Sequence, residues 1–228
     1  MANGNSVNDE IREQHQKIME EKGLTGRISY FFYYYKVQTL ISLIVVGVLI
    51  AIIVSIATRK NTALQVIYIN GFPVENAQTF MDDFAATIQI DPKKEEVLFD
   101  DSFYIATENP TTFDEDNKEK LFVMSSAARI DVCVADEAFF KEMAQQGYLL
   151  DLSTVLSSEQ MDKYKDDLFY YDSPENMHEG EEAVGIKVTD ANKIVSEGSF
   201  PNTDCYYCII MNSKHVDNAL AFLDYLEQ

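Results

Sequence analysis

The longest apolar stretch of the chain covers residues 37–57 and contains no charged side chain. At 1.5 Å per residue, a helix of this length spans roughly 30 Å, the thickness of the hydrocarbon layer of a membrane. Because backbone amides in lipid must be paired within the chain, the stretch is expected to be helical. Lys36 closes one end, and Arg59 and Lys60 close the other. The pattern predicts a transmembrane helix that contacts the lipid bilayer over residues 37–57.

The residues that flank this stretch predict its orientation. Six aromatic residues at positions 30–35 precede it, as in the aromatic belts found at membrane interfaces. Four Lys or Arg side chains lie within 20 residues on the amino-terminal side, and two lie within 20 residues on the other side. This bias predicts a single-pass protein of the cell membrane, with residues 1–36 in the cytoplasm and the carboxyl-terminal domain outside the cell.

A cleaved signal peptide is the alternative to a permanent anchor. Ser55 and Ala57 are small residues with the spacing of a cleavage site. The apolar core is longer than that of a typical signal peptide, however, and Arg59 and Lys60 follow it at once. We therefore expect an uncleaved signal-anchor, followed by a short linker at residues 58–62.

Residues 63–228 alternate between strand-like and helix-like hydrophobic patterns. Runs rich in β-branched and aromatic residues predict strands, and apolar residues three and four apart predict helices. Polar stretches at 172–182 and 190–204 predict loops. The predicted strands cover residues 63–69, 96–105, 130–134, 183–188 and 206–211, with 149–152 extended, and the predicted helices cover residues 74–88, 111–128, 136–146, 157–169 and 215–226.

This alternation predicts an α/β domain with a mostly parallel sheet and helices on both faces. In such sheets, ligands bind at the carboxyl ends of the strands. The residues at those ends are Asn70 and Gly71 after the first strand, Thr107 after the second, and Asp136 after the third. We predict that these four residues bind a ligand. The alternative is that each of them only forms a turn or caps a helix.

Acidic residues dominate the predicted outer domain. The whole chain has a formal net charge of −20, and residues 61–228 hold 33 acidic and 11 basic side chains. Such a domain repels phosphate groups, so nucleic-acid binding is not expected. The acidity either keeps an exported domain dispersed or binds cations diffusely.

The three cysteines do not form a disulfide framework. Cys205 and Cys208 have the spacing of a redox or metal-binding pair. If they lie on one strand, however, they face opposite sides of the sheet roughly 10 Å apart, which exceeds disulfide reach. Buried core positions are therefore expected for this pair and for Cys133, with a redox pair as the alternative.

No metal, cofactor or catalytic site is predicted. The histidines His15, His178 and His215 fit no metal-ligand spacing. Residues 114–117, three acids and an asparagine, lack the glycine and the distal glutamate of a calcium loop, so a negatively charged first turn of a helix explains them better. We therefore expect that the protein is not an enzyme.

Three segments carry a resemblance to a known family. Residues 131–156 (DVCVADEAFFKEMAQQGYLLDLSTVL) and 206–226 (YYCIIMNSKHVDNALAFLDYL) are similar to bacterial extracellular solute-binding proteins, the capture subunits of ABC importers. Residues 183–190 (AVGIKVTD) resemble the strand by which such chains return from the second lobe to the first. The resemblance implies a periplasmic-binding-protein-like fold of type II, with residues 131–134 in the first lobe.

The chain departs from that family in length. The segment between residues 171 and 183 is far too short to form a second lobe, so the sequence resembles one membrane-anchored lobe. This implies non-catalytic binding of a small solute or a partner protein, for example as an accessory of a membrane transporter. The alternative is a structural subunit of a membrane complex, in which the transmembrane helix and its aromatic collar form the working surface.

Overall fold

The computed structural model describes residues 35–172, 180–188, 192–196, 198–201 and 203–228, together with scattered positions before residue 35. It divides into two units, Met1–Arg59 and Lys60–Gln228, and the second is called the α/β unit below. Most of the predicted cytoplasmic tail, four positions of the predicted aromatic belt, and both His15 and His178 lie outside the described residues.

Helix α1 (Lys36–Ala57) covers the long apolar stretch. It has 22 residues and a mean hydropathy of 3.2, so it is long and apolar enough to cross a membrane. None of its residues is buried against the rest of the described chain. Its side chains are therefore available to an apolar environment such as lipid.

The α/β unit contains one six-stranded sheet in the order β2-β1-β3-β6-β5-β4. Helices alternate with strands along most of the unit. The strands are β1 (Asn61–Ile69), β2 (Glu95–Phe103), β3 (Val132–Asp136), β4 (Leu168–Tyr171), β5 (Glu182–Lys187) and β6 (Cys205–Ile209), and the remaining helices are α2 (Ala77–Thr87), α3 (Thr112–Ser126), α4 (Glu137–Gln145), α5 (Ser158–Lys163), α6 (Lys193–Ser196) and α7 (Val216–Leu226).

The strand directions confirm a mixed α/β sheet that is mostly parallel. Strand β1 pairs in parallel with both β2 and β3, whereas β6 is antiparallel to β3 and β5, and β4 is antiparallel to β5. Four strands therefore run one way, and β4 and β6 run the other. A parallel connection from β5 to β6 would need a long crossover, and among the described residues only the four-residue helix α6 lies between them.

Helices cover both faces of this sheet. Side chains alternate along β1, so that Leu64, Val66 and Tyr68 join one core while Ile67 and Ile69 join the other. The first core includes apolar residues of α2 and α7, and the second includes those of α3 and α4. The helix residues buried on the two faces are Phe80, Met81, Phe84, Phe222, Leu223 and Leu226 on the first and Leu121, Phe139, Phe140 and Met143 on the second.

Several predicted boundaries were wrong in the second half of the unit. The helix predicted over residues 157–169 ends at Lys163, and Leu168–Tyr171 form strand β4, which pairs with β5. The backbone N–H and C=O groups of these residues find hydrogen-bond partners in β5, where a longer helix would have paired them within itself. The predicted extended segment 149–152 includes a β-bridge at Leu149 and ends where a 3₁₀ turn begins at Leu152, and helix α6 lies inside the predicted loop 190–204.

Candidate functional site

Two of the four predicted ligand-binding residues meet at the carboxyl edge of the sheet. Strands β1 and β3 are parallel neighbours, and Ile69 is paired with Ala135. The next residue of each strand therefore lies at the same edge. The side-chain Nδ2 of Asn70 donates a hydrogen bond of 3.0 Å to Asp136 Oδ1. The same carboxylate caps α4 by accepting from the backbone N–H of Phe139 at 3.3 Å.

Asn70 also holds the exit of strand β2. Its Nδ2 donates to the carbonyl of Ile105 at 2.9 Å, and its Oδ1 accepts from the backbone N–H of Ile105 at 2.7 Å. Its φ of 61° lies in the left-handed region, which asparagine tolerates better than most residues. The polar atoms of Asn70 are thus paired within the protein and join three chain segments at one point.

Gly71 is partly buried and lies against the ring of Phe200. A Cβ added at this position would come within 2.8 Å of the Phe200 Cζ atom. Phe200 itself is buried. Only a glycine permits this close approach, so the structure gives Gly71 a packing role at the end of β1.

Thr107 is exposed and lines an open groove of about 1060 Å³. Helix α4 contributes Lys141 and Gln145 to this groove, and β4 contributes Phe169 and Tyr171. Asn70, Gly71 and Asp136 are not among its lining residues. The four predicted residues therefore do not converge on a single pocket.

Three exposed aromatic side chains mark the carboxyl edge, and the sequence analysis missed them. Phe72, Tyr104 and Phe113 are 64%, 64% and 65% exposed. Phe72 follows β1, Tyr104 follows β2, and Phe113 lies in the first turn of α3. For Tyr104, an aromatic residue directly after the end of a strand was the available signal in the sequence. Together with Asn70 and Asp136, these three residues are called the carboxyl-edge surface.

Hydrogen bonds fix the amino end of α3 against this edge. Asn117 donates to the carbonyl of Tyr104 at 3.1 Å, and the buried carboxylate of Asp114 accepts from the backbone N–H of Ala106 at 2.9 Å. Asp114 also accepts from the backbone N–H and the hydroxyl of Thr111 in a capping box. The Ala106 amide and the two Thr111 donors lower the pKa of Asp114 from its ordinary value of 3.8 to about 2.

The segment that carries Phe72 is held on both sides. The backbone N–H of Phe72 donates to the carbonyl of Ser199 at 2.7 Å. Two residues later, the backbone N–H of Val74 donates to Asp101 Oδ2 at 2.8 Å. All three exposed rings therefore project from backbone segments whose conformation is fixed by hydrogen bonds.

A buried polar cluster lies near the opposite end of β3, and the sequence analysis did not predict it. Asp131 is 2% exposed, and its carboxylate accepts from the backbone N–H of Gln65 at 2.8 Å and from the hydroxyl of Ser213 at 2.7 Å. His215 Nδ1 lies 3.0 Å from the same carboxylate. In a catalytic triad, the histidine would lie between the serine and the acid, whereas here the carboxylate lies between them. The cluster therefore fixes the start of α7.

The three cysteines are all buried, Cys205 in one core and Cys133 and Cys208 in the other. Cys205 belongs to one core and Cys208 to the other, so the two thiols face opposite sides of β6, as predicted. Cys133 is paired with Cys208 across β3 and β6. Burial raises the pKa of all three thiols, that of Cys205 to about 12. A thiolate is therefore not favoured at any of these positions.

Within the described ranges, no three His, Cys, Asp or Glu side chains are grouped so that they could hold a metal ion. No protein-family model, curated protein or solved structure matches the chain. The geometry of its own residues is therefore the basis for a functional proposal.

Proposed function

We propose that the protein is a membrane-anchored, non-catalytic binding domain that is displayed outside the cytoplasm and holds a partner protein or a solute at its carboxyl-edge surface. The observation that supports this most directly is the exposure of Phe72, Tyr104 and Phe113, each about two-thirds accessible, on a single edge of the sheet. Binding is favourable when a partner removes exposed apolar groups from water.

The rigidity of the edge also favours binding. Binding is weakened when loops and side chains must become ordered in the complex, because ordering costs conformational entropy. The segments that carry the three rings are already held by the hydrogen bonds of Asn70, Asp101 and Asp114. Aromatic residues, phenylalanine included, are also enriched at protein interfaces relative to the rest of the surface.

The polar pair and the rings have different roles in this proposal. Asn70 and Asp136 hydrogen-bond each other, and Asn70 also bonds Ile105, so most of their bonding capacity is used within the protein. We infer that they support the surface, while the rings and the exposed Thr107 contact the bound molecule. This assignment refines the predicted ligand-binding set without replacing its location.

A periplasmic-binding-protein-like lobe is the fold that we propose for the α/β unit. Its sheet carries helices on both faces, and its candidate surface lies at the carboxyl ends of strands. Only ten residues separate Tyr171 from Glu182, too few for a second lobe. A single lobe leaves a ligand open on one side, so a partner protein, such as a transporter subunit, is favoured over an enclosed solute.

Site-specific photocrosslinking tests the proposal. Benzoylphenylalanine would replace Phe72, Tyr104 or Phe113 in the full chain, and intact cells would be irradiated. The matched control positions are Val123, Tyr170 and Met211, whose apolar side chains are exposed elsewhere on the unit.

We expect adducts of one common mass at the three edge positions and none of that mass at the controls. Adducts shared by all six positions, or their absence at the edge, would reject a partner protein. In that case, a search for sugars, amino acids or peptides that raise the melting temperature tests the solute. A rise that is lost when Phe72, Tyr104 and Phe113 are all changed to serine would support solute binding, and no rise would reject the proposal.

Replacing α1 with an unrelated transmembrane helix separates this proposal from a structural subunit. If the edge surface binds the partner, the edge adducts should persist in the exchanged protein. If the membrane helix is the working surface, they should disappear while the chain still reaches the membrane.

A further inference from the structure

Strand β2 leaves one side of the sheet open. It is nine residues long and pairs with β1, and no other described strand pairs with it. Most of its residues are only partly buried, and Leu98 is exposed. Alternate backbone N–H and C=O groups of an edge strand point away from the sheet, where another extended chain can pair with them.

A groove lined by both apolar and charged residues runs beside this open strand. It has a volume of about 550 Å³ and lies between β2 and α2. The helix contributes Met81 and the small residues Ala85 and Ala86, and the strand contributes Val97 and Leu98. The small side chains of the helix leave space for apolar side chains of a bound segment.

The rim of the groove is acidic. Asp82, Glu95 and Glu96 line it, and Lys60 is the single basic residue in its lining. Asp100 and Asp101 continue the acidic row along β2. A bound segment that carries Lys or Arg would therefore meet complementary charge.

We propose that the groove between β2 and α2 binds an extended basic segment of another protein, which adds a strand along β2 and places alternate apolar side chains in the groove. An edge strand beside a helix combines two sources of binding energy. Main-chain hydrogen bonds to the strand supply affinity, and side chains in the groove supply specificity. The residues that line this groove differ from those of the carboxyl-edge surface, although Asp101 of the acidic row also bonds the backbone N–H of Val74 near Phe72.

Charge disfavours a second copy of this chain as the occupant. Pairing two β2 strands would bring the acidic side chains of Glu95, Glu96, Asp100 and Asp101 close to those of the other copy. Like charges opposite each other destabilise strand pairs. The same acids would stabilise a basic strand, so they select against self-association and in favour of a basic partner.

Fluorescence anisotropy with synthetic peptides tests this inference. The full chain would be placed in phosphatidylcholine nanodiscs, with empty nanodiscs as a blank. The probe is a labelled peptide of about eight residues, alternating lysine and valine, which matches the length of a strand. Two control peptides have the same sequence, and each is methylated on alternate backbone nitrogens, one on the lysines and the other on the valines.

Strand addition predicts that the two methylated peptides differ from each other. Only one edge of the peptide bonds β2, so methylation on that edge should weaken binding by at least about tenfold, whereas methylation on the other edge should change it little. Both controls keep every charge. Equal binding of all three peptides would show charge attraction alone and overturn the proposal.

A matched pair of variants locates the site. Ala86→Arg fills the groove, whereas Ala127→Arg adds the same charge at the exposed end of α3. We expect Ala86→Arg to weaken the affinity for the unmethylated peptide by at least about tenfold. Ala127→Arg should leave that affinity unchanged. Equal effects would place the peptide elsewhere and overturn the proposal.

Hydrogen exchange gives a readout that does not depend on the variants. The peptide should slow exchange of backbone amides within residues 95–103 of the wild-type chain, and unchanged exchange there would overturn the proposal. A failure at this groove leaves the expected photocrosslinks of Phe72 and Tyr104 unaffected, because those residues do not line it.

Discussion

Asn70 shows how one side chain can organise an edge of the sheet. Its backbone adopts a left-handed conformation that turns the chain after β1, and its side chain bonds both Ile105 and Asp136. Ile105 is 1% exposed, so its N–H and C=O groups have little access to water. Removing their partner leaves buried polar groups unpaired, which costs more than an average hydrogen bond contributes.

Replacing Asn70 with alanine should lower the free energy of unfolding by about 2–4 kcal/mol, because two buried groups lose their partner and alanine is strained at a positive φ. The control is Asn76→Ala, since Asn76 has φ 60° but no side-chain capping hydrogen bond. The control should lose only about 1 kcal/mol. Urea titrations of the full chain in detergent, followed by tyrosine fluorescence, measure the difference. Equal losses in the free energy of unfolding for the two variants would contradict the proposed role of the Asn70 side chain.

At the scale of elements, the amino end of α3 links local capping to the candidate surface. Acidic residues follow Thr111, and the sequence analysis interpreted residues 114–117 as a charged first turn of a helix. The capping box confirms that interpretation. The same carboxylate that caps the helix also binds Ala106, and so fixes α3, which carries Phe113, against the exit of β2.

The low pKa of Asp114 makes part of the stability dependent on pH. A carboxyl whose pKa falls from 3.8 to about 2 on folding stabilises the fold fully above about pH 5, and this contribution is lost progressively as the pH falls toward 2. Asp114→Asn should therefore flatten the decrease in the free energy of unfolding between pH 4 and pH 2. Asp116→Asn, an exposed acid on the same helix, serves as the charge-matched control. Identical slopes in both variants would contradict this account.

The elements also show what the sequence could predict. The meeting of Asn70 and Asp136 was predictable, because carboxyl ends of neighbouring parallel strands share an edge. Strand β4 was not, because residues 168–171 are continuous in pattern with the preceding helix and only pairing with β5 makes them a strand. The contact between Asp131 and Ser213 joins residues 82 positions apart, and no local pattern encodes it.

At the scale of the whole molecule, the protein contains an apolar helix and an acidic α/β unit, for which we propose a binding role. Helix α1 is long enough to cross a membrane, and the α/β unit forms its own core. The side of the membrane on which each unit lies stays a prediction from the distribution of Lys and Arg.

Protease treatment of intact cells tests this central claim most directly. The full chain would carry an epitope tag at each end, and permeabilised cells would show that both tags can be digested. We predict that protease removes the carboxyl-terminal tag from intact cells and leaves a membrane-bound fragment, with the amino-terminal tag and α1, of about 60 residues. Survival of the carboxyl-terminal tag in intact cells, or a mature protein that begins near Thr58, would contradict the account.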